Sequence, residues 1–260
     1  MRFCSLASGS KGNAYLVDDA GELILIDCGI GLRTLKTRMA LAGVAIDDIT
    51  AVLITHEHSD HVAGLAAFQR LAPDVPVFMN FSTADAVCAL YPDVCDEMIV
   101  AFENDSRFPV GDLKVWAIET SHDVSDPVGY FVEGPGGSYF HITDTGEPTV
   151  EMDEYFDMAD VATLESNHDL ALLRSSGRPY HVVRRIEGPC GHLSNDQAAD
   201  FVASCAVPRL KHLALAHLSQ DCNSPHLALD AVAKGLACAG CCQTKLTAFS
   251  QCRVSDWIYA

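Results

Sequence analysis

The densest chemistry in this chain lies in Thr55-His56-Glu57-His58-Ser59-Asp60-His61, where three imidazoles and the Asp60 carboxylate fall within six residues, directly after the apolar run Ala51-Val52-Leu53-Ile54. Imidazole nitrogens and carboxylate oxygens in this mixture suit zinc, manganese or iron. His56 and His58, two apart in an extended loop, can face one ion; Asp60 and His61, adjacent where a helix begins, can diverge toward a second. A lone histidine is more often structural than a ligand. The cluster reverses that weighting, because burying so many polar groups behind a strand costs ~2–7 kcal/mol each unless a partner meets them, and a metal is such a partner.

The elements that must carry these groups read as apolar strands interleaved with helices. Strands are predicted over residues 2–7, 14–17, 23–27, 51–55, 75–79, 113–119, 128–133, 139–143, 161–165 and 212–216, and helices over 32–42, 62–71, 83–90, 195–205 and 226–239. Apolar strand runs alternating with amphipathic helices imply sheets with helices on their outer faces. Asp27, His56, His122, Asp144 and His217 each follow such an apolar run, as expected of a site built along one rim of a layered sheet. No repeat or linker divides the chain, so one domain is expected over residues 1–260.

The H-x-H-x-D-H string after a strand, with Leu25-Ile26-Asp27-Cys28-Gly29 upstream and His122, Asp144 and His217 downstream, resembles the metallo-β-lactamase superfamily over nearly the whole chain. The opening Met1-Arg2-Phe3-Cys4-Ser5-Leu6-Ala7-Ser8-Gly9-Ser10-Lys11-Gly12-Asn13, together with Glu165-Ser166-Asn167-His168-Asp169, Gly191-His192-Leu193-Ser194-Asn195 and Ala216-His217-Leu218-Ser219, is similar to the YycJ/WalJ-type branch, described as DNA exonucleases. The resemblance implies a four-layer αββα sandwich. It also implies two divalent ions, zinc or manganese ahead of iron: His56, His58 and His122 would hold the first, Asp60, His61 and His217 the second, and Asp144 would bridge them. Asp27 would orient loop ligands through a hydrogen bond, although a turn residue after a strand explains it equally well. A hydroxide bridging the metals would attack a phosphodiester in line, giving a 5′-to-3′ exonuclease acting on DNA ahead of RNA. Asp60 and His192 are the expected catalytic residues. In the ribonuclease Z group a Gly-His-Ser/Thr segment before a helix occupies a similar place, and an imidazole is suited to protonating a leaving oxygen near neutral pH.

His168, Arg184, Arg185, Ser194 and Asn195 are carried as candidate substrate contacts. Each has a plainer alternative: His168 as a packed loop residue, and Ser194 as the first member of a Ser194-Asn195-Asp196-Gln197 capping box. Arg174, Arg178, Arg184 and Arg185 lie in a stretch without acidic residues between positions 171 and 186, which reads as a phosphate clamp or as a solvated face. Residues 8–13 could present backbone N–H groups to an anion or form an ordinary turn.

A formal net charge of -18 opposes long-range attraction to nucleic acid, although bound cations and a local basic patch act at the site itself. Hydrophobic residues at 49% against 20% charged exclude disorder. No run is long enough for a membrane span, the start lacks an export signal's apolar core, and eleven scattered cysteines fit reduced thiols, so a cytoplasmic protein is expected. Cys238, Cys241 and Cys242 lack a second pair to complete a metal site. Two other readings remain at this point: hydrolysis of a small phosphodiester, lactone or thioester, and a non-catalytic metal-binding interaction module. Seven retained ligands argue against the module. Asp144 argues against the best-known β-lactam hydrolases, which the resemblance expects to carry a cysteine there, and the short segments flanking His217 leave no room for a helical thioesterase domain or a large nuclease cap.

Overall fold

The computed structural model describes residues 1–104, 106–205 and 207–260. In the first half, β1 (Arg2–Ala7), β2 (Ala14–Asp19) and β3 (Glu22–Ile26) lead through α1 (Leu32–Leu41) to β4 (Ala51–Leu53), the short helix α2 (Ser59–Val62), α3 (Leu65–Leu71), β5 (Val77–Asn80), α4 (Phe81–Leu90) and β6 (Ile99–Phe102). Next come β7 (Arg107–Val110), β8 (Leu113–Glu119), β9 (Val128–Gly134), β10 (Gly137–Ile142), α5 (Val150–Asp157), β11 (Val161–Glu165), α6 (Leu170–Arg174), α7 (Tyr180–Glu187), α8 (Asn195–Ser204), β12 (His212–Ala216), α9 (Pro225–Cys238), β13 (Lys245–Ala248) and β14 (Ile258–Tyr259). The strands form two seven-stranded sheets, ordered β14-β1-β2-β3-β4-β5-β6 and β13-β12-β11-β10-β9-β8-β7.

Strand sequences explain the layering. Because successive side chains point to opposite faces, a strand buried on both sides must be apolar throughout. Phe3, Tyr15, Ile24 and Ile26 enter the core between the sheets, where Val115, Tyr130, Tyr139 and Ala214 meet them from the other side. Their neighbours Cys4, Leu16 and Leu25 face outward, against Leu35 and Met39 of α1 and Leu65 and Phe68 of α3. On the opposite outer face Phe140, Leu164 and Leu215 pack beneath Phe156 of α5, Phe201 of α8 and Val232 of α9. Helix, sheet, sheet and helix are thus the four layers of the expected αββα sandwich.

The predicted strands at 2–7, 113–119, 161–165 and 212–216 coincide with β1, β8, β11 and β12. The predicted helix over 62–71 is instead two pieces, α2 and α3, separated at Gly64, whose position lies against the Cys28 and Ile30 carbonyls with no space for a Cβ. Strands β6, β7, β13 and β14 and helices α5, α6 and α7 add elements beyond the sequence reading.

Parallel pairing from β3 through β6, and from β10 through β13, places the carboxyl ends of these strands along common rims. Three rim residues leave their strands in the left-handed region: Asp27 at φ 59°, Asp144 at φ 58° and His217 at φ 55°. Such backbone costs on the order of 1–3 kcal/mol per non-glycine residue and turns the chain sharply out of the sheet.

Candidate metal centre

The rim gathers all seven expected ligands. His56 Nε2 and His122 Nε2 lie 3.2 and 3.3 Å from His58 Nδ1. His61 Nε2 is 3.3 Å from Asp144 Oδ2 and 3.6 Å from Asp60 Oδ2, while His217 Nε2 is 3.8 Å from Asp60 Oδ2. Asp144 stands between the two groups, its Oδ1 3.8 Å from His122 Nε2 and 3.3 Å from His217 Nδ1.

Hydrogen bonds on the far side of each ring fix which nitrogen faces inward. The Asp27 carboxylate accepts from the Thr55 backbone N–H and hydroxyl through Oδ1, and from His61 Nδ1 at 2.7 Å through Oδ2. With its hydroxyl proton given to Asp27, Thr55 Oγ1 accepts from His56 Nδ1 at 3.0 Å. His122 Nδ1 donates to the Gly191 carbonyl at 2.9 Å. The Nε2 lone pairs of His56, His61 and His122 therefore face the interior, that of His61 meeting the Asn13 amide, which a metal would displace. Asp27 acts directly on His61 and, through Thr55, on His56.

A metal pair fits this geometry. Nitrogen donors 2.0–2.1 Å from a tetrahedral ion sit roughly 3.3 Å from each other, the separation found among the inward nitrogens of His56, His58 and His122. Asp144 Oδ2 and His217 Nε2 are buried without a hydrogen-bond partner in the protein, and both point among the second set of ligands. Burial lowers His56 and His122, keeping them neutral and able to ligate. For His61 burial would lower the imidazole, but Asp27, Asp144 and Asp60 raise it well above its ordinary value. His217 is raised in the same way, burial being outweighed by Asp144, Asp60 and Glu165. For Asp60 burial raises the carboxyl, yet His61 and His217 hold it down to about 2. The centre demands positive charge.

Sequence reasoning missed Glu165. Fully buried at the end of β11, it accepts from His217 Nδ1 at 2.7 Å and His192 Nδ1 at 3.0 Å through Oε1, and from the Thr145 and Leu193 backbone N–H groups at 3.0 and 3.1 Å through Oε2. Its signal was the one that marked Asp27: a carboxylate directly after a run of buried strand residues. Burial alone would raise this carboxyl, but His192 and His217 hold it down to about 2. His192 stands over the cluster, its ring centroid 4.9 Å from that of His122 and 5.1 Å from that of His217.

The segment between β1 and β2 supports the centre from below. Ser8 Oγ accepts from the His217 backbone N–H at 2.8 Å, and Asn13 Nδ2 lies 3.0 Å from His61 Nε2. At Gly29 a Cβ would stand 1.6 Å from the Asp60 carbonyl oxygen, so only glycine lets the β3 exit lie this close to the ligand loop.

The other candidates divide. Ser194 caps α8: its hydroxyl accepts from the Gln197 N–H, and the Gln197 side chain returns to the Ser194 N–H. Asn195 is buried in exchange with Ser166 and Asn223, behind the rim. All four arginines are ion-paired, Arg174 and Arg184 to Glu187, Arg178 to Asp221 and Arg185 to Asp123. Arg178 and Arg185 line a cavity of about 300 Å³ that also meets His122, His192 and His168, whereas Arg184 does not reach it. Cys238 and Cys242 are exposed and, with Cys241, join no metal-spaced group among the described residues.

Residues 22–213 match a family model described as "Beta-lactamase superfamily domain". The chain belongs to the metallo-β-lactamase superfamily. Within this superfamily it is 34% identical over 236 residues to a Bacillus anthracis protein named exodeoxyribonuclease YycJ, covering 91% of this chain and 89% of that protein. It is 30% identical over 229 residues to exodeoxyribonuclease WalJ of Streptococcus pneumoniae, covering 87% of this chain and 85% of that one. In three dimensions it superposes on the metallo-β-lactamase fold protein YhfI from Bacillus subtilis with a TM-score of 0.70 at 15% identity, over 98% of both chains.

Proposed function

We propose that this chain is a metal-dependent phosphodiesterase that removes nucleotides from DNA in the 5′-to-3′ direction. The observation that carries this reading is His192, poised beside a seven-ligand cluster on the wall of a cavity that presents Lys11, Arg178 and Arg185. Two relatives named exodeoxyribonucleases, each aligned over more than four-fifths of this chain, support nucleic acid as the substrate. The eleven free cysteines support a reducing, cytoplasmic setting, and no helix among the described residues is long and apolar enough to cross a membrane.

His56, His58 and His122 would hold the first ion and Asp60, His61 and His217 the second, with Asp144 within reach of both sets. When bound, two divalent cations supply Lewis acidity toward the phosphoryl oxygens and lower the pKa of an attacking water. The protein contributes orientation. Asp27 and Thr55 fix the rings of His61 and His56, and Glu165 fixes those of His217 and His192. Asp60, with 22% of its side chain exposed, and His58 are the ligands partly open to solvent, and the Asp60 carboxylate would align an attacking water. His192, tied at Nδ1 and one-fifth exposed, turns Nε2 toward the substrate and delivers a proton to the leaving oxygen.

The test is a cleavage panel of single- and double-stranded DNA, RNA and bis-p-nitrophenyl phosphate with zinc or manganese. Release of mononucleotides from DNA 5′ ends is expected. Turnover of the small ester with no polynucleotide cleaved would defeat the nuclease reading in favour of small-ester hydrolysis, and no turnover of anything would favour a binding module.

A further inference from the structure

The cavity beside the metal centre contains a group the metal centre does not use. His168 forms part of its floor, fully buried, and neither ring nitrogen has a hydrogen-bond partner in the protein. Burial holds this imidazole down to about 4, so near neutral pH it is uncharged and offers one N–H donor and one acceptor nitrogen. Its place is not slack. The Asn195 N–H donates to the His168 carbonyl, and the flanking Asn167 and Asp169 N–H groups donate to Leu193 and Cys222. A buried polar ring fixed this firmly and left unmet by the chain calls for a partner from outside it.

The walls state the partner's chemistry. Leu173, Val182 and Ile186 make one side apolar, while Lys11, Arg178 and Arg185 bring cations to the same space. Arg178 and Arg185 are braced by Asp221 and Asp123, carboxylates that line the same cavity, so its net lining charge is carried by Lys11, which has no ion-pair partner among the described residues. At about 300 Å³ the cavity sits at the lower end of the range for small-ligand sites, room for one nucleotide and too small for a duplex. His122 and His192 form the wall shared with the metal centre.

We propose that this cavity receives the terminal nucleotide of the strand, its 5′ phosphomonoester against Lys11, Arg178 and Arg185, its sugar and base along Leu173, Val182 and Ile186, and His168 hydrogen-bonded at the floor. The proposal rests on the phosphodiesterase reading and deepens it, because a pocket for an end selects ends over internal positions. Hydrolysis breaks the bond between phosphorus and the 3′ oxygen of that nucleotide. Water's oxygen joins the phosphorus, the leaving oxygen keeps the bonding pair and takes a proton, and the shortened strand carries a new 5′ phosphomonoester. Each turnover regenerates the group the pocket recognises.

The experiment compares single strands of one sequence bearing a 5′ phosphate, a 5′ hydroxyl or a 3′ phosphate, using metal-loaded enzyme, with bis-p-nitrophenyl phosphate alongside. The 5′-phosphorylated strand is expected to give kcat/KM at least about tenfold above the 5′-hydroxyl strand, the scale of one charge-assisted hydrogen bond. That preference should collapse in the Lys11→Ala/Arg178→Ala double variant, whereas His168→Leu should lower kcat/KM for both strands alike. Calorimetric titration with thymidine 5′-monophosphate should show binding weakened at least about tenfold by the same changes. Equal cleavage of the phosphate and hydroxyl strands, preference for the 3′ phosphate, or a 5′ preference that survives the double variant would overturn the pocket while leaving the nuclease reading intact. If no strand is cleaved but the small ester is, the nuclease reading falls, and the nucleotide titration decides the pocket by itself.

Discussion

Replacing Glu165 with glutamine tests the core of the site with one nearly isosteric change. The carboxylate receives four hydrogen bonds, two ring N–H groups on Oε1 and two backbone N–H groups on Oε2. An amide keeps only one acceptor oxygen. Placed at Oε2, its NH2 meets the Thr145 and Leu193 N–H groups, which cannot reverse. Placed at Oε1, it forces His192 and His217 to move their protons to Nε2, where the His217 hydrogen points among the ligands. The carboxyl's fall from 4.5 to about 2 corresponds to about 3 kcal/mol, comparable with losing one or two buried charge-assisted bonds at ~1.5–3 kcal/mol each. Glu165→Gln should therefore lower Tm by about 5–10 °C in a chain of this size and weaken metal affinity or activity about 10–100-fold. Metal content after dialysis against graded free zinc, thermal denaturation with and without chelator, and kcat/KM on bis-p-nitrophenyl phosphate measure the three effects. A variant that binds metal and turns over like the unmodified protein would refute the claim that Glu165 orients His217.

Asp144→Asn should reduce bound metal below two per chain and abolish turnover, read by elemental analysis; full occupancy would show that Asp144 does not serve both sets of ligands. His192→Ala should lower kcat by about 10²–10⁴, the scale of a general acid, at unchanged metal content; metal loss instead would make it a ligand. In the pH dependence of stability, Glu165 has a folded value below its unfolded one, so its contribution is present above about 4.5 and lost as pH falls through about 2. An acid titration of Tm should be shallower for Glu165→Gln than for the unmodified protein. Three cavity cations predict a gentle salt dependence for single-strand binding, about 0.7 log units per log unit of salt for each phosphate neutralised; a slope near that of an extended basic groove would place the strand elsewhere.

The cluster was legible because four of its candidate ligands, His56, His122, Asp144 and His217, follow strand runs, and the other three share one short string with His56, patterns that survive in sequence order. The partners that aim the ligands were harder to read, since Ser8 reaches the His217 backbone across 209 positions and Asp27 reaches His61 across 34, distances no local pattern encodes. Glu165 could have been found by extending the strand-end rule one strand further. Edge strands escaped for a physical reason: β7 contains Pro109 and alternates exposed with buried residues, and β14 has only two residues to show. Helices α6 and α7 were hidden by the breakers Gly177 and Pro179 between them, and their arginines read as a cationic stretch whose carboxylate partners, Asp123 and Asp221, lie far off in sequence.

The charge of the centre reconciles an acidic protein with the anionic substrate proposed for it. Asp27, Asp60, Asp144 and Glu165 raise His61 and His217 well above the ordinary imidazole value, because among the described residues no cationic side chain of the protein stands with the carboxylates there. Divalent cations would meet the same demand with more charge, in competition with protons on those rings. The net charge of -18 then works for the site, drawing cations in, and screening confines it so that the loaded centre and the braced arginines at the cavity set the local field. On the proposed function, affinity for phosphate would be conditional on metal, and the left-handed exits at Asp27, Asp144 and His217 are the backbone turns that bring these side chains to the rim.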